Sequence, residues 1–274
     1  MQRAIGFPQL DGLIGYEVFS QFLTEINFDK MQISLQSFSQ RKALSPTDHS
    51  VPLSFQGTMP CVDAVLDGIP GRFWLDTGDR ASGTLSLPFI QMNSLRQKYK
   101  TTFSTMTGYG LGGPMTTSMA FASDFDLSGL VFSNTLIRLP DMNSKGLSDP
   151  KTAGTIGTGL LRQFNLLFDY SRREMVLSKN SSFEQDRSFD RSGMWIAPST
   201  DGFLIMNVLE NGPAWNAGLR MGQQILAVDG VTALDINVLE LRERLKDSDL
   251  KQIILTVQDG IRRGRVSVFL RDLL

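Results

Sequence analysis

A segment near the start of this 274-residue chain returns 142 residues later, and this internal repeat constrains the fold more than any single motif. The letters DGLIGYEVFSQF of residues 11–22 come back as AGTIGTGLLRQF in residues 153–164. The identical pairs are Gly12 and Gly154, Ile14 and Ile156, Gly15 and Gly157, Gln21 and Gln163, and Phe22 and Phe164. Each copy predicts a glycine-rich turn, a short amphipathic helix and two strands. A gap-free register over roughly 25 residues indicates a duplicated structural unit.

The repeat also predicts how the chain is divided. The second copy closes a region that begins near Val51, so the first copy would close an equivalent region, most of which would precede Met1. We therefore expect residues 1–37 to be the C-terminal remnant of a first lobe and residues 51–180 to be a complete second lobe. Residues 38–50 are then a linker, and His49 is interpreted as a linker residue because it lies in a polar stretch.

The region between the two copies has the pattern of a mainly β fold. Residues 51–55, 60–66 and 72–75 predict short strands, and Asp67-Gly68 predicts a tight turn between two of them. Residues 127–139 alternate between apolar and polar and predict further strands. Such a succession of short strands favours a β-rich lobe.

An apolar strand runs directly into Asp76-Thr77-Gly78, which is the most informative local motif. Gly78 allows the backbone to turn sharply, so the turn presents the carboxylate of Asp76 at the end of the strand. No second Asp-Thr-Gly and no Asp-Ser-Gly occurs in the sequence. Any chemistry that needs two such carboxylates therefore needs a second one from elsewhere.

Composition excludes several functional classes. The net charge of −1 and pI near 5.9 give no electrostatic reason to expect nucleic acid as a partner. No apolar run approaches the length of a membrane-spanning helix, and Met1 to Leu10 lack the pattern of a signal peptide. One histidine and one cysteine, Cys61, argue against a zinc site, a Ser-His-Asp hydrolase and an internal disulfide framework. We expect no cofactor and no metal.

The last part of the chain reads as a separate domain. Residues 181–192 are polar and charge-rich and are interpreted as a linker to a domain at residues 193–274. That domain contains a strand pattern at residues 202–209, a short helix before Gly218, and the motif Gly-x-x-Ile-Leu-x-Val-Asp-Gly at residues 222–230.

These motifs carry two family resemblances. The strand, Asp76-Thr77-Gly78, a later glycine-rich hairpin and Thr155-Ile156-Gly157 before a helix resemble one lobe of a retropepsin-like or pepsin-like aspartic protease. The C-terminal succession resembles the bacterial form of the PDZ domain. Together they look like the bacterial aspartyl proteases that carry a C-terminal PDZ domain, with the first lobe incomplete. The resemblance implies a mainly β fold and, for localisation, the cell envelope or periplasm.

The resemblance implies a role for each motif residue. Asp76 would be one of two carboxylates that share a proton and activate water, with Thr77 and Gly78 supporting it. Ile156 and Gly157 would pack behind the aspartate. A flap over bound peptide would come from the glycine-rich hairpin, with Gly108, Tyr109, Gly110, Gly112 and Gly113 as its candidate residues. The same glycines have the spacing of a dinucleotide motif, but Pro114 and an alternating pattern follow where that motif needs a helix.

The sequence departs from the aspartic-protease pattern at two places. Asp79-Arg80 stands where the family commonly has small residues, and Thr155 stands at a position that is usually apolar. The extra carboxylate of Asp79 would raise the pKa of Asp76 unless Arg80 offsets it. Neither change removes a reacting group, but both leave open a protein that keeps the fold without the activity.

In the PDZ-like domain, the resemblance implies an extended peptide added as a strand. Its terminal carboxylate would meet the backbone amides of a binding loop at Gly193, Met194, Trp195 and Ile196. A helix is predicted from about Leu234 to Leu245. The apolar stripe Leu234, Val238, Leu241 and Leu245 on it is interpreted as domain core in preference to a groove lining.

The function expected from the sequence is that of an aspartic endopeptidase whose PDZ domain recognises peptide or protein substrates. Because the chain supplies one aspartate, a monomer is expected to be inactive, and the second would come from a missing N-terminal lobe. One alternative is a homodimer in which each chain contributes Asp76. In that dimer the repeat at residues 1–37 would have no role. Another is a non-catalytic peptide-binding scaffold that acts through the PDZ domain.

Overall fold

The computed structural model describes residues 12–99, 104–110, 113–141, 148–183 and 189–273. The chain divides into two compact units, each with its own core. One unit comprises residues 12–101 and 119–187, and the other comprises residues 102–118 and 188–274, in their described parts. No helix in the described ranges is long and apolar enough to cross a membrane.

The elements between residues 12 and 187, which include the hairpin of residues 104–127, are mostly short strands. In chain order they are α1 (Tyr16–Phe19), β1 (Leu23–Asn27), β2 (Gln32–Gln36), a 3-10 turn (Phe38–Gln40), β3 (His49–Pro52), β4 (Ser54–Gln56), β5 (Met59–Leu66), β6 (Ile69–Asp76), β7 (Gly83–Leu85), α2 (Leu87–Met92), α3 (Leu95–Tyr99), β8 (Ser104–Gly110), β9 (Gly113–Leu127), β10 (Leu130–Pro140), β11 (Gly154–Gly157), α4 (Thr158–Leu161), β12 (Phe164–Asp169) and β13 (Glu174–Lys179).

A five-stranded sheet joins the two copies of the sequence repeat in the order β2-β1-β12-β13-β3. The helices α1 and α4 begin and end at residues that are 142 apart, and β2 and β13 begin at residues with the same separation. Strands β1 and β12 pair antiparallel, with Glu25 opposite Leu167, which is its own counterpart at that offset. The two copies are therefore related by a local two-fold axis between Glu25 and Leu167.

An eight-stranded sheet carries the Asp-Thr-Gly motif in the order β4-β5-β6-β11-β7-β10-β9-β8. Asp67 and Gly68 both have positive φ, which is the backbone of the two-residue turn that joins β5 to β6. Along β5, buried and exposed residues alternate, so one face of the strand meets the core. Helix α2 begins where the Ser86 hydroxyl accepts a hydrogen bond from the Phe89 N–H, with Pro88 in the first turn. The largest fully buried side chains of this core are Phe73, Phe125, Phe164 and Phe168.

The C-terminal part of the second unit is a small antiparallel sheet with one longer helix. Its elements are β14 (Met194–Ser199), β15 (Gly202–Val208), α5 (Pro213–Asn216), β16 (Gln224–Val228), β17 (Val231–Thr232), a 3-10 turn (Ala233–Asp235), α6 (Val238–Arg244), β18 (Gln252–Asp259) and β19 (Arg262–Phe269). The sheet order is β14-β15-β16-β18-β19, with β17 paired to β16. Strand β14 is thus an edge strand of this sheet within the described chain.

Two expectations from the sequence were wrong in detail. His49 begins strand β3, opposite Leu177, and its Nε2 lies 3.3 Å from the Leu127 carbonyl oxygen, so this residue belongs to the lobe and not to a linker. The predicted helix from Leu234 is shorter, because residues 233–235 form a 3-10 turn that leaves Leu234 exposed. Val238, Leu241 and Leu245 are buried in the core, as the sequence predicted.

Candidate functional site

The Asp76 carboxylate lies where strand β6 ends beside strand β11. The two strands run parallel, and Gly157 is the residue paired with Asp76, while buried Ile156 is paired with Leu75. The same short strand β11 pairs on its other side with β7, antiparallel. Asp76 is therefore held by the centre of the sheet, with only Thr77 and Gly78 of its motif exposed at the turn.

Gly157 and Gly159 lie in close contact with the backbone of the loop that follows Asp76. A Cβ on Gly157 would lie within about 2.5 Å of the carbonyl oxygens of Asp79 and Ala81, and a Cβ on Gly159 would lie equally close to the Ser82 nitrogen. Backbone hydrogen bonds fasten the loop: Thr158 N–H donates to the Asp79 carbonyl at 2.7 Å, and Gly159 N–H donates to the Ala81 carbonyl at 3.0 Å. Only glycine leaves room for this close approach of two backbones.

Burial raises the pKa of the Asp76 carboxyl above its usual range. The Gly78 N–H donates a hydrogen bond to Asp76 Oδ1 at 2.9 Å, which acts against that rise, while the negative charge of Asp79 adds to it. A carboxyl group whose pKa is raised keeps a proton more readily in weakly acidic solution. That property suits a member of a proton-sharing carboxylate pair.

Asp79 is the centre of a polar network beside this site, a role that the sequence did not reveal. Its Oδ2 accepts hydrogen bonds from the hydroxyls of Thr84 at 3.1 Å and Thr155 at 3.2 Å. Its Oδ1 lies 3.4 Å from the Arg138 guanidinium in a largely buried ion pair. The two departures from the family pattern, Asp79 and Thr155, are thus hydrogen-bonded to each other.

Asp79→Asn is expected to lower the free energy of unfolding of this unit by about 3 kcal/mol, because it leaves the buried charge of Arg138 without its carboxylate partner. The double variant Asp79→Asn with Arg138→Met removes both charges, so it should cost less than the single change. Urea unfolding, monitored by hydrogen exchange of strand β6, measures the free energy of unfolding of both variants. A double variant that is as unstable as the sum of the two single variants would contradict the coupling.

The glycine-rich hairpin exists as strands β8 and β9, with Gly110 paired with Gly113 and Tyr109 paired with Pro114. Gly108 follows an irregularity in the register at residues 106–108. Gly112 lies outside the described residues. The strand that follows these glycines excludes the helix that a dinucleotide-binding motif needs. The hairpin geometry is compatible with a flap, and that role stays a prediction.

The loop predicted to bind a carboxylate is already filled by a side chain of this chain. Asp190 Oδ1 accepts hydrogen bonds from the N–H groups of Ser192 and Gly193, both at 2.9 Å, and from the Ser192 hydroxyl at 2.6 Å. The Met194 N–H in turn donates to the Ser192 hydroxyl oxygen at 3.1 Å. The Asp190 carboxylate was not foreseen, because it belongs to the polar stretch interpreted as a linker.

Burial raises the pKa of Asp190 to about 6, although the hydrogen bonds from Ser192, Gly193 and Met194 oppose the rise. In the unfolded chain the pKa is near 3.8, so the folded state holds the extra proton between about pH 4 and pH 6. The stability of this unit should therefore fall as the pH rises through that window, by up to about 2–3 kcal/mol. Asp190→Asn should be less dependent on pH there, which urea unfolding monitored by hydrogen exchange of β14 at pH 4, 5, 6 and 7 would show.

Arg242 of helix α6 reaches the edge strand β14. Its Nη2 donates a hydrogen bond to the Ile196 carbonyl oxygen at 2.7 Å, and its guanidinium lies 5.1 Å from the centre of the Trp195 ring. The space between α6 and β14 is where a PDZ domain receives an added strand. One backbone acceptor of that edge is therefore occupied by an arginine.

No group of three or more His, Cys, Asp or Glu side chains in the described part of the chain is arranged to hold a metal ion.

Comparison with known proteins identifies the class of the C-terminal unit. Residues 204–259 match the family model described as "PDZ domain". The turn residues agree with that family pattern, since Gly218, Asp229 and Gly230 all have positive φ. The Gln223 side chain accepts a hydrogen bond from the Arg220 N–H and donates one to Asp259. The chain therefore contains a PDZ domain that includes residues 204–259.

Comparison with solved structures gives neighbours at low TM-scores. A retropepsin-like aspartic protease from Rickettsia conorii aligns with 16% identity over 47% of this chain and 89% of its own, at a TM-score of 0.34. The EIAV protease with an inhibitor aligns with 17% identity over 40% of this chain and 90% of its own, at a TM-score of 0.28. An HtrA-type protease with a decapeptide aligns with 12% identity over 62% of this chain and 59% of its own, at a TM-score of 0.33. No curated protein matches the sequence.

Proposed function

We propose that this protein is an aspartic endopeptidase in which Asp76 supplies one of the two catalytic carboxylates and the PDZ domain recognises peptide. The observation that carries the proposal is the setting of Asp76: a half-buried carboxyl with a raised pKa at the end of a central strand, on a loop cradled by Gly157 and Gly159. With a second carboxylate about 3 Å away, the anionic member acts as general base toward water and the protonated member donates to the peptide carbonyl oxygen.

The first copy of the repeat indicates where the second carboxylate would be. Its apolar side chains are exposed at positions whose counterparts are buried: Ile14 is 71% exposed and Ile156 0%, while Leu35 is 48% exposed and Leu177 1%. Likewise, Ile33 is 65% exposed, whereas its counterpart Met175 is fully buried. In the second copy these positions face the lobe that carries Asp76. A second lobe of the same kind therefore fits on the face formed by Leu13, Ile14, Phe22, Ile33 and Leu35, which we call the open face.

The local two-fold axis favours this arrangement over a homodimer. In a symmetric dimer built about the same axis, β12 of one chain would pair with β12 of its partner. Here β1 already pairs with β12, with Glu25 opposite Leu167. The chain's own first copy thus occupies the place that a second chain would need. We propose that the partner of Asp76 comes from a lobe that covers the open face.

A tandem-lobe variant tests the proposal directly. Since Gln36 and Ser178 are equivalent positions, residues 51–178 can be joined directly ahead of Ser37, in place of residues 1–36. The resulting chain carries two lobes with an Asp76 in each. We expect it to hydrolyse a degenerate fluorogenic peptide library in weakly acidic solution and to be inhibited by pepstatin. A folded tandem-lobe variant without activity would argue against the proposal.

The unmodified chain gives a complementary result. Fractions of known mass, separated by size-exclusion chromatography with light scattering, should show no peptidase activity at the monomer mass of 30.4 kDa. Activity confined to a fraction of twice that mass would favour the homodimer instead. Pepstatin-sensitive activity in the monomer fraction would exclude both arrangements.

A second candidate function is that of a non-catalytic peptide-binding scaffold, which the PDZ match favours. In that case no variant of Asp76 changes the behaviour of the protein, and the tandem-lobe variant stays inactive.

A further inference from the structure

The binding loop of the PDZ domain has no free donor for a peptide's terminal carboxylate between residues 191 and 194. The Arg191 N–H donates to the Leu245 carbonyl at 2.9 Å. The N–H groups of Ser192 and Gly193 donate to Asp190, and that of Met194 donates to the Ser192 hydroxyl oxygen. A carboxylate bound by the loop at residues 193–196 needs several amides at once, and those of Gly193 and Met194 are already used within the chain.

The Asp190 carboxylate stands in for the carboxylate of a bound peptide end. It accepts from the Gly193 amide, which is the first of that loop, and from the amide of the preceding Ser192, which is fully buried. A peptide carboxylate entering the loop would have to displace the Asp190 side chain, which belongs to the chain and is therefore held there at high effective concentration, and which is negatively charged above about pH 6. Two like charges cannot share these donors without a large cost.

The edge of β14 offers a different mode of binding. Strand β14 ends the sheet within the described chain, so an extended segment can add to it through backbone hydrogen bonds. Such binding uses the peptide backbone along its length and requires no chain end. Arg242 at this edge donates to the Ile196 carbonyl, and its guanidinium can exchange that contact for an acidic or carbonyl group of an added segment.

We propose that this PDZ domain binds internal, extended segments of a polypeptide along β14 and does not require a free C-terminal carboxylate, because Asp190 occupies the loop that would receive one. This inference deepens the proposed function by naming the kind of peptide that is recognised. It depends on peptide recognition by the PDZ domain and on no property of Asp76.

The test compares two pools of degenerate decapeptides that differ only at the C-terminus, one with a free carboxylate and one with a carboxamide. Both are passed over the immobilised full-length chain carrying Asp76→Asn, which excludes cleavage, and the captured peptide is quantified by mass spectrometry. We expect the two pools to be captured within about twofold of each other. Preference for the free carboxylate by about tenfold or more would overturn the inference, and so would capture of neither pool.

Asp190→Ala adds a second arm, because it frees the amides of Ser192 and Gly193. Capture of the carboxylate pool should then rise about tenfold, while capture of the carboxamide pool stays unchanged. Asp190→Asn keeps an oxygen acceptor at the same place and serves as the matched control, which should behave like the parent. An alanine variant that folds, by circular dichroism, and gains no preference for the carboxylate would contradict the role of Asp190. Peptidase activity enters neither arm, so failure here leaves the proposal for Asp76 standing.

Discussion

Asp76→Asn in both lobes of the tandem-lobe variant is expected to reduce kcat/KM for peptide hydrolysis by about 10³-fold or more. Asparagine keeps the size of the side chain and can still accept the hydrogen bond from Gly78 N–H, but it can neither hold nor release the catalytic proton. The loss should therefore appear in kcat, with the folded structure retained. Steady-state kinetics on a fluorogenic peptide, with circular dichroism as a check of folding, measures it.

Asp63→Asn is the matched control for that experiment. Asp63 lies on the neighbouring strand β5, is largely exposed, and pairs with Arg72 at 3.0 Å. An exposed ion pair contributes little to stability, so this change should leave kcat/KM within about twofold of the parent. If Asp76→Asn retained the activity and an unrelated residue removed it, the assignment of Asp76 as the catalytic carboxylate would be wrong.

Gly157→Ala is expected to lower the free energy of unfolding by about 3 kcal/mol and to displace the loop that carries Asp79. The backbone of Gly157 has φ of −115°, which alanine adopts without strain. The whole effect therefore comes from the added Cβ, which would press on the carbonyl oxygens of Asp79 and Ala81. Urea unfolding, monitored by hydrogen exchange of strands β6 and β11, measures the loss of stability.

Gly15→Ala provides a control from within the same chain, because Gly15 is the counterpart of Gly157 in the repeat. Its φ is −137°, and a Cβ there would find only the Glu17 carboxylate, at 3.5 Å. We expect a change within about 0.5 kcal/mol, since nothing packs on this glycine. A loss at Gly15 as large as that at Gly157 would mean that the two glycines matter for their conformation and not for the loop.

The sequence predicted the mainly β architecture well where local signals were strong. The Asp67-Gly68 turn and the strand that ends in Asp76 are both present. The repeat predicted equivalent elements in both copies, because the apolar positions and turns recur at one offset. Leu234 was wrongly predicted to begin the helix because its apolar side chain has helical spacing from Val238. In the structure Leu234 lies in the 3-10 turn that precedes the helix.

The polar contacts around the site were beyond the reach of the sequence. Arg138 is 59 residues from Asp79, and only the pairing of β10 with β7 brings the two together. The sequence raised Arg80 as the cation beside Asp79, since it is the neighbour in the chain. Likewise, Asp190 lies in a stretch whose composition is that of a linker, and only the folded loop turns its carboxylate onto the amides of Ser192 and Gly193.

The pairing of Glu25 with Leu167 also sets an order of events during synthesis. Strand β1 leaves the ribosome before its partner, and it has no neighbour on its β12 side until about 140 further residues have been made. At ordinary rates of translation that delay is on the order of ten seconds. During this time the β1–β2 hairpin exposes an unpaired strand edge and the apolar side chains of the open face, which is the combination that invites aggregation. Chaperones that bind nascent chains would therefore matter for residues 12–36 before Asp76 is in place.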